Sequence, residues 1–145
     1  EGLDFFYPWL QKNYYPAEMK LTKMEGNYVW TSIDFYPQIA YGFSPMILAA
    51  TEAATLTGDK KYALLAFESA MWFFGKNKPG KKMYDPETGI CFDGVVDSRE
   101  INSNAGAECT IEALLAMQAL EQLNTFGREY NFFLNNINIR THGLH

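Results

Sequence analysis

At 145 residues, with 48% hydrophobic side chains including eleven Phe, nine Tyr and three Trp, the chain is long enough to bury one substantial core and too apolar for a disordered tail. Twelve Lys and Arg against seventeen Asp and Glu leave a net charge of −5, and no basic run exceeds two residues, which excludes the electrostatic footprint of a nucleic-acid binder. The longest apolar stretches, 39–54 and 111–120, are broken by polar side chains and fall short of the roughly 20 residues that a membrane span needs.

The first 36 residues are the least regular. LDFFYPWLQKNYY reads as a helix interrupted at Pro8, and NYVWTSIDFY alternates as a short strand or an extended approach to the next element would. The clearest helix begins at Ser44-Pro45, with Ser as N-cap and Pro as first helical residue, and runs through MILAATEAATLT to a stop at Gly58. Asp59 is placed to cap a second helix, KKYALLAFESAMWFF, in which Tyr62, Leu65, Ala66, Ser69, Ala70 and Phe73 recur at helical spacing before Gly75. With only Gly58 and Asp59 between them, the two helices must fold back on each other as an antiparallel αα-hairpin.

The stretch from Lys76 to Asn104 carries turn signals at Pro79-Gly80 and across Asp85-Pro86-Glu87-Thr88-Gly89. A connection of that length inside a domain is usually functional or contains short strands. A third helix opens near Asn104 and continues to about Asn124, apolar around most of its circumference, so it requires neighbours on several sides. Beyond Gly127 the helical period is lost, NINIR alternates like a strand, and His142 and His145 read as part of a mobile tail rather than a metal pair.

Cys91 and Cys109 lack the paired neighbours of a metal site or a disulfide framework and read as reduced, core-packed thiols. The numbered chain opens on Glu1 with no charged n-region, apolar h-region or small-residue cleavage site, as a mature or truncated chain also would, and the compartment is left open with the cytoplasm slightly favoured. The predicted fold class is therefore all-α: antiparallel αα-hairpins and one long loop in a single domain. Within it, residues 1–36 form an irregular lead-in, 37–124 the hairpin region and 125–145 a tail.

Three blocks carry a resemblance: Trp72-Phe73-Phe74-Gly75-Lys76-Asn77, then Tyr84-Asp85-Pro86-Glu87-Thr88-Gly89-Ile90-Cys91-Phe92-Asp93-Gly94, then Asn104-Ala105-Gly106-Ala107-Glu108-Cys109-Thr110-Ile111-Glu112-Ala113-Leu114-Leu115. In this order they resemble the six-hairpin, (α/α)-toroid glycosidase-like family. More narrowly, they are similar to helical regions appended to some bacterial and archaeal glycosyltransferases. The resemblance covers residues 37–124 and implies part of a toroid of stacked hairpins; such toroids host hydrolases, lyases, epimerases and non-catalytic modules. A six-hairpin ring needs well over twice the helix present in this chain. It is thus expected to be a fragment or one part of an assembly, and to self-associate or meet a missing partner domain through the helix faces a full ring would bury.

Glycosidic cleavage usually needs two carboxylates about 5 to 10 Å apart. Asp93 and Glu108 are the catalytic candidates: Asp93 precedes Gly94, which permits close backbone approach, and Glu108 lies in the first turn of an otherwise apolar helix. Each also has a structural explanation. Glu108 complements a helix dipole, and Asp93 forms an Asx turn ahead of glycine. Asp85 reads as a turn initiator, and Glu112 as solvent-facing.

Sugar rings present apolar C–H faces that lie well on aromatic side chains, so Trp30, Tyr84 and Phe92, outside the strong helices, are substrate-binding candidates, whereas Trp72 and Phe73 are read as core. No P-loop, GxGxxG, HExxH or CxxC pattern occurs, and no metal or cofactor is expected. The expected function is a carbohydrate-active domain that binds or processes a glycan. The alternative is a non-catalytic helical module attached to a glycosyltransferase, serving as an interaction or positioning surface.

Overall fold

The structure, a computed structural model, describes residues 2–137. Gly2–Phe6 form a π-helical turn that runs directly into helix α1, Tyr7–Lys12. Pro8 sits in the first turn of α1, at the junction where the π-helical turn gives way to the α-helix, so it marks a change of helix type rather than a break in the chain's helical course. Asn13 ends α1 by donating its side-chain amide to Trp9 O at 2.7 Å, and Tyr14 and Tyr15 then turn the chain in left-handed conformations, φ 58° and 53°.

The segment read as an irregular lead-in next forms an antiparallel hairpin, β1 (Glu18–Met24) and β2 (Asn27–Asp34). The two residues between the strands, Glu25 and Gly26, both have positive φ, which matches the twist of a tight hairpin. Strand β2 falls on the NYVWTSIDFY segment that alternates as a short strand would, whereas β1 and its pairing with β2 were not read from the sequence. Because β2 is exposed along its whole length, no buried face specifies that pairing.

Strand β3 (Gln38–Ile39) leads straight into α2 (Ala40–Thr57). This helix begins ahead of the predicted Ser44-Pro45 start: Ile39 is its N-cap, Ser44 is buried, and Pro45 lies inside the helix. The carbonyl deprived of a donor by Pro45 belongs to Tyr41, which is exposed, so water can satisfy it. The turn after α2 follows the sequence signals. Gly58 is left-handed at φ 68° and donates its N–H to Ala54 O, while Asp59 Oδ1 accepts from Lys61 N at 3.0 Å and caps α3, Lys60–Ala70.

The long loop contains β4 (Gly94–Val95) and β5 (Ile101–Asn102), which extend β3 into a three-stranded antiparallel sheet of order β3-β4-β5. Helix α4 (Ala107–Glu121) follows, then a 3₁₀ turn, Gln122–Phe126, and α5, Gly127–Ile137. Where a tail was expected, α5 buries Phe133 and Ile137, one turn apart. Asn136 and Ile137 of the predicted NINIR strand are helical, while the rest of that segment, His142 and His145 lie outside the described residues.

The all-α expectation is therefore corrected. With about 52% helix and 17% strand in two antiparallel sheets, the described chain is mixed α/β. Two-residue strands carry no period long enough to read.

The core lies where α2 packs on α3 and α4. Small residues allow close approach: Ala50 and Ala54 on α2, Ala63, Ala66 and Ala70 on α3, and Ala113 and Ala116 on α4 are buried. Phe43 stacks on Trp72 with centroids 4.1 Å apart, and Phe73 meets Trp72 edge-on at 5.1 Å. Trp72 and Phe73 are core residues, as read from their spacing.

One buried side chain joins the N-terminal segment to this core. Gln38 donates from Nε2 to Tyr14 O at 2.7 Å and Tyr15 O at 2.9 Å, and its Oε1 accepts from Trp72 Nε1 at 2.9 Å.

Candidate functional site

The segment holding the predicted carboxylate is braced from both ends. Met83 N and Tyr84 N both donate to Phe73 O, Tyr84 bridges to Cys91, and Phe92 N donates to Met83 O. Between them Asp85 accepts from Glu87 N at 3.0 Å and from the Thr88 hydroxyl at 2.7 Å, closing its turn. The Thr88 hydroxyl, then the Glu87 amide, hold its carboxyl below the usual carboxylate range.

Asp93 is held by groups from the far side of the loop. Its Oδ1 accepts from Gly106 N at 3.0 Å and lies 3.2 Å from Cys109 Sγ, and its Oδ2 lies 3.4 Å from Asn102 Nδ2. Gly106 is the N-cap of α4, so this carboxylate ties the β4 strand to the positive end of that helix. Cys109 Sγ also lies 2.9 Å from Cys91 O and 3.1 Å from Gly106 O. Burial pushes the Cys109 thiol up, and pushes that of Cys91 up to about 12, so neither is an activated nucleophile.

Glu108, in the first turn of α4, is exposed, and among the described residues its side chain has no hydrogen-bond or ion-pair partner. Asp93 and Glu108 thus meet at the same helix end, one braced and one free. Tyr84 is only 7% exposed, with its ring edge-on to Phe74, and Phe92 is half-buried against the core. Trp30 stands apart on the β1–β2 hairpin and is 43% exposed.

Two features escaped the sequence reading. The first is a ladder of rings: Phe6 stacks on Trp9 at 6.2 Å and 5°, and Trp9 on Trp30 at 5.7 Å and 11°. The aromatic run FFYPW was its visible half; its partner ring lies on a strand that the alternation of NYVWTSIDFY suggested, but whose approach to α1 the sequence did not reveal. The second is a cleft of about 210 Å³ between α1, α3 and the loop after α3, lined by Gln11, Tyr14, Glu68, Trp72, Lys76 and Lys78 among others. Its signal was the lysine-rich KNKPGKK, which fell below the threshold for a nucleic-acid patch.

Comparison with known protein families gives no match for the chain, and comparison with curated proteins gives none either. Among the described residues no helix is long and apolar enough to cross a membrane.

The bracing of Asp93 has a measurable consequence. Asp93→Ala is expected to cost about 2 kcal/mol, because it strips the charged acceptor from the part-buried Gly106 N–H at the start of α4. Glu108→Gln is expected to stay within about 0.5 kcal/mol, as for an exposed substitution. Urea denaturation of the two variants checks both values, and equal stabilities would remove the bracing role.

Proposed function

We propose that the chain is a glycan-binding helical-hairpin module of a carbohydrate-active protein related to the six-hairpin glycosidase-like family, acting by binding and positioning rather than by cleavage. The observation that carries this reading is the Phe6–Trp9–Trp30 ladder. Three rings lie near-parallel on the surface, and the outermost stack joins two separate elements, α1 and β2, so the platform is held in place by the fold. A flat, fixed and exposed indole suits the C–H face of a sugar ring.

Binding is favoured over cleavage because a cleaving pair needs a second carboxylate free to exchange a proton, and Asp93 already accepts from the Gly106 amide on one oxygen and faces the Asn102 amide with the other. The reading as a module of something larger is supported by α4. Its Ala113, Ala116 and Leu120 are buried, while Ile111, Leu114 and Leu115 remain exposed on another face, where a further helix would pack.

Titration of the tryptophan fluorescence with a panel of soluble oligosaccharides tests the reading. At least one saccharide is expected to quench or shift the emission saturably. Trp30→Ala should weaken that binding on the order of tenfold, with a stability loss of only about 1 kcal/mol from the missing Trp9 stack and the fold retained. Binding that is indifferent to Trp30→Ala, or no binding across the panel, would refute it.

A further inference from the structure

KNKPGKK sets Lys76, Lys78, Lys81 and Lys82 within seven positions of a chain whose net charge is −5. All four are exposed, and among the described residues the ion-paired lysines are Lys60 and Lys61, not these. The loop that carries them is fixed. Asn77 donates to Trp72 O at 2.9 Å and to Lys81 O at 2.7 Å and accepts from Lys81 N at 3.1 Å, while Gly80 N donates to Asn77 O. The ammonium groups are therefore mounted on a defined backbone, unlike those of a mobile basic tail.

Lys76 and Lys78 border the 210 Å³ cleft. Lys78 Nζ lies 5.0 Å from the centre of the Tyr14 ring, and Tyr14 is itself anchored through its carbonyl by Gln38. Across the cleft Glu68 of α3 has no hydrogen bond or ion pair among the described residues, and neither lysine pairs with it. Two ammoniums and one carboxylate, none of them ion-paired among the described residues, thus share one small concavity with an exposed aromatic ring beside Lys78.

We propose that this cleft binds one carboxylate-bearing ring of an acidic saccharide, an inference that rests on the glycan-binding reading and names its substrate class. The sugar carboxylate sits between Lys76 and Lys78, its hydroxyls donate to Glu68, which is acceptor-only when ionised, and its C–H face lies on Tyr14. The volume is below the roughly 300–1,000 Å³ of sites for drug-sized ligands, which limits the occupant to about one ring. A neutral sugar leaves both lysines uncompensated. A bare phosphate or a nucleic-acid backbone brings charge without the array of hydroxyl donors that Glu68 requires, to a chain that is acidic overall.

Calorimetric titration of the whole chain with a galacturonic acid trisaccharide and with the matching galactose trisaccharide isolates the carboxylate. The acidic trisaccharide is expected to bind about tenfold more tightly at low salt, and the double variant Lys76→Gln/Lys78→Gln to abolish that preference while retaining the affinity for galactose. Both lysines are exposed, so circular dichroism should show the variant folded. Equal affinity for the two saccharides, or a preference that survives the double variant, overturns the inference. So does displacement of the acidic saccharide by inorganic phosphate at matched ionic strength. If galactose binds through Trp30 and the carboxylate adds nothing, the glycan-binding reading stands and only the acidic class falls. If neither saccharide binds and the oligosaccharide panel is also silent, both fall.

Discussion

Gln38→Leu is expected to lower the unfolding free energy by about 3 to 5 kcal/mol, more than any surface change in this chain. The side chain is 5% exposed and makes three hydrogen bonds, two as donor to consecutive carbonyls and one as acceptor from the Trp72 indole. Leucine fills the volume but leaves the Trp72 N–H buried with no acceptor, and it removes the side-chain amide that holds the main-chain carbonyls of Tyr14 and Tyr15. Those two residues hold left-handed backbones, an arrangement that costs free energy and persists only where surrounding contacts enforce it. Besides the shift in urea midpoint, faster amide exchange is expected in α1 and the β1–β2 hairpin than in α2. A stability loss under about 1 kcal/mol would show that Gln38 is not the hub its geometry describes. Trp72→Phe separates the terms: it retains most of the ring packing, deletes one donor and should cost less.

What the sequence revealed and what it concealed follow from the range of the interactions involved. The α2–α3 turn was legible because its determinants are local: Gly58 supplies the left-handed residue and Asp59 caps the amide two positions on. Pro45 misplaced the start of α2 because a proline near a helix N-terminus has two readings, and only the burial of Ser44 and Phe43 decides between them. Helix α5 was hidden by the asparagines and aromatics of REYNFFLNN. Its two buried positions acquire meaning only once Phe67 and Phe74 present rings to Phe133, at 5.0 and 6.0 Å.

The same distinction governs the site. Asp93 was visible as a residue of consequence, but its partners Gly106 and Cys109 come from beyond the loop and could not be paired with it in advance. Trp30 was visible as an aromatic outside the strong helices, on a segment that alternates as a strand; that it stacks on Trp9 depends on a hairpin pairing and a long-range contact that the pattern does not carry. The lysines of KNKPGKK were individually unremarkable in number and became a feature only when Asn77 fixed their backbone against Tyr14.

Gly94→Ala is expected to destabilise the chain by about 3 kcal/mol, at the upper end of the usual cost of overpacking. An added Cβ would lie 2.5 Å from Gln38 O and 2.9 Å from Ile39 Cγ2. Because the Gln38 oxygen is main chain, relief requires β3 to part from β4 along the Ile39–Gly94 register. Glycine as the first residue of a strand that must approach another backbone is the close-approach role suggested by Asp93-Gly94 in the sequence. Gly106→Ala provides the contrast: its Cβ would meet a side-chain oxygen, Asp93 Oδ1, at 3.2 Å, which can yield by a few tenths of an ångström. A cost of about 1 kcal/mol or less is expected there. The two backbones crowded at Gly94 also position Gln38, so Gly94→Ala and Gln38→Leu act on one unit and their combined effect should fall short of the sum. Additive losses in the double variant, measured by urea denaturation, would instead mean that the β3–β4 contact and the Gln38 clamp stabilise the chain independently.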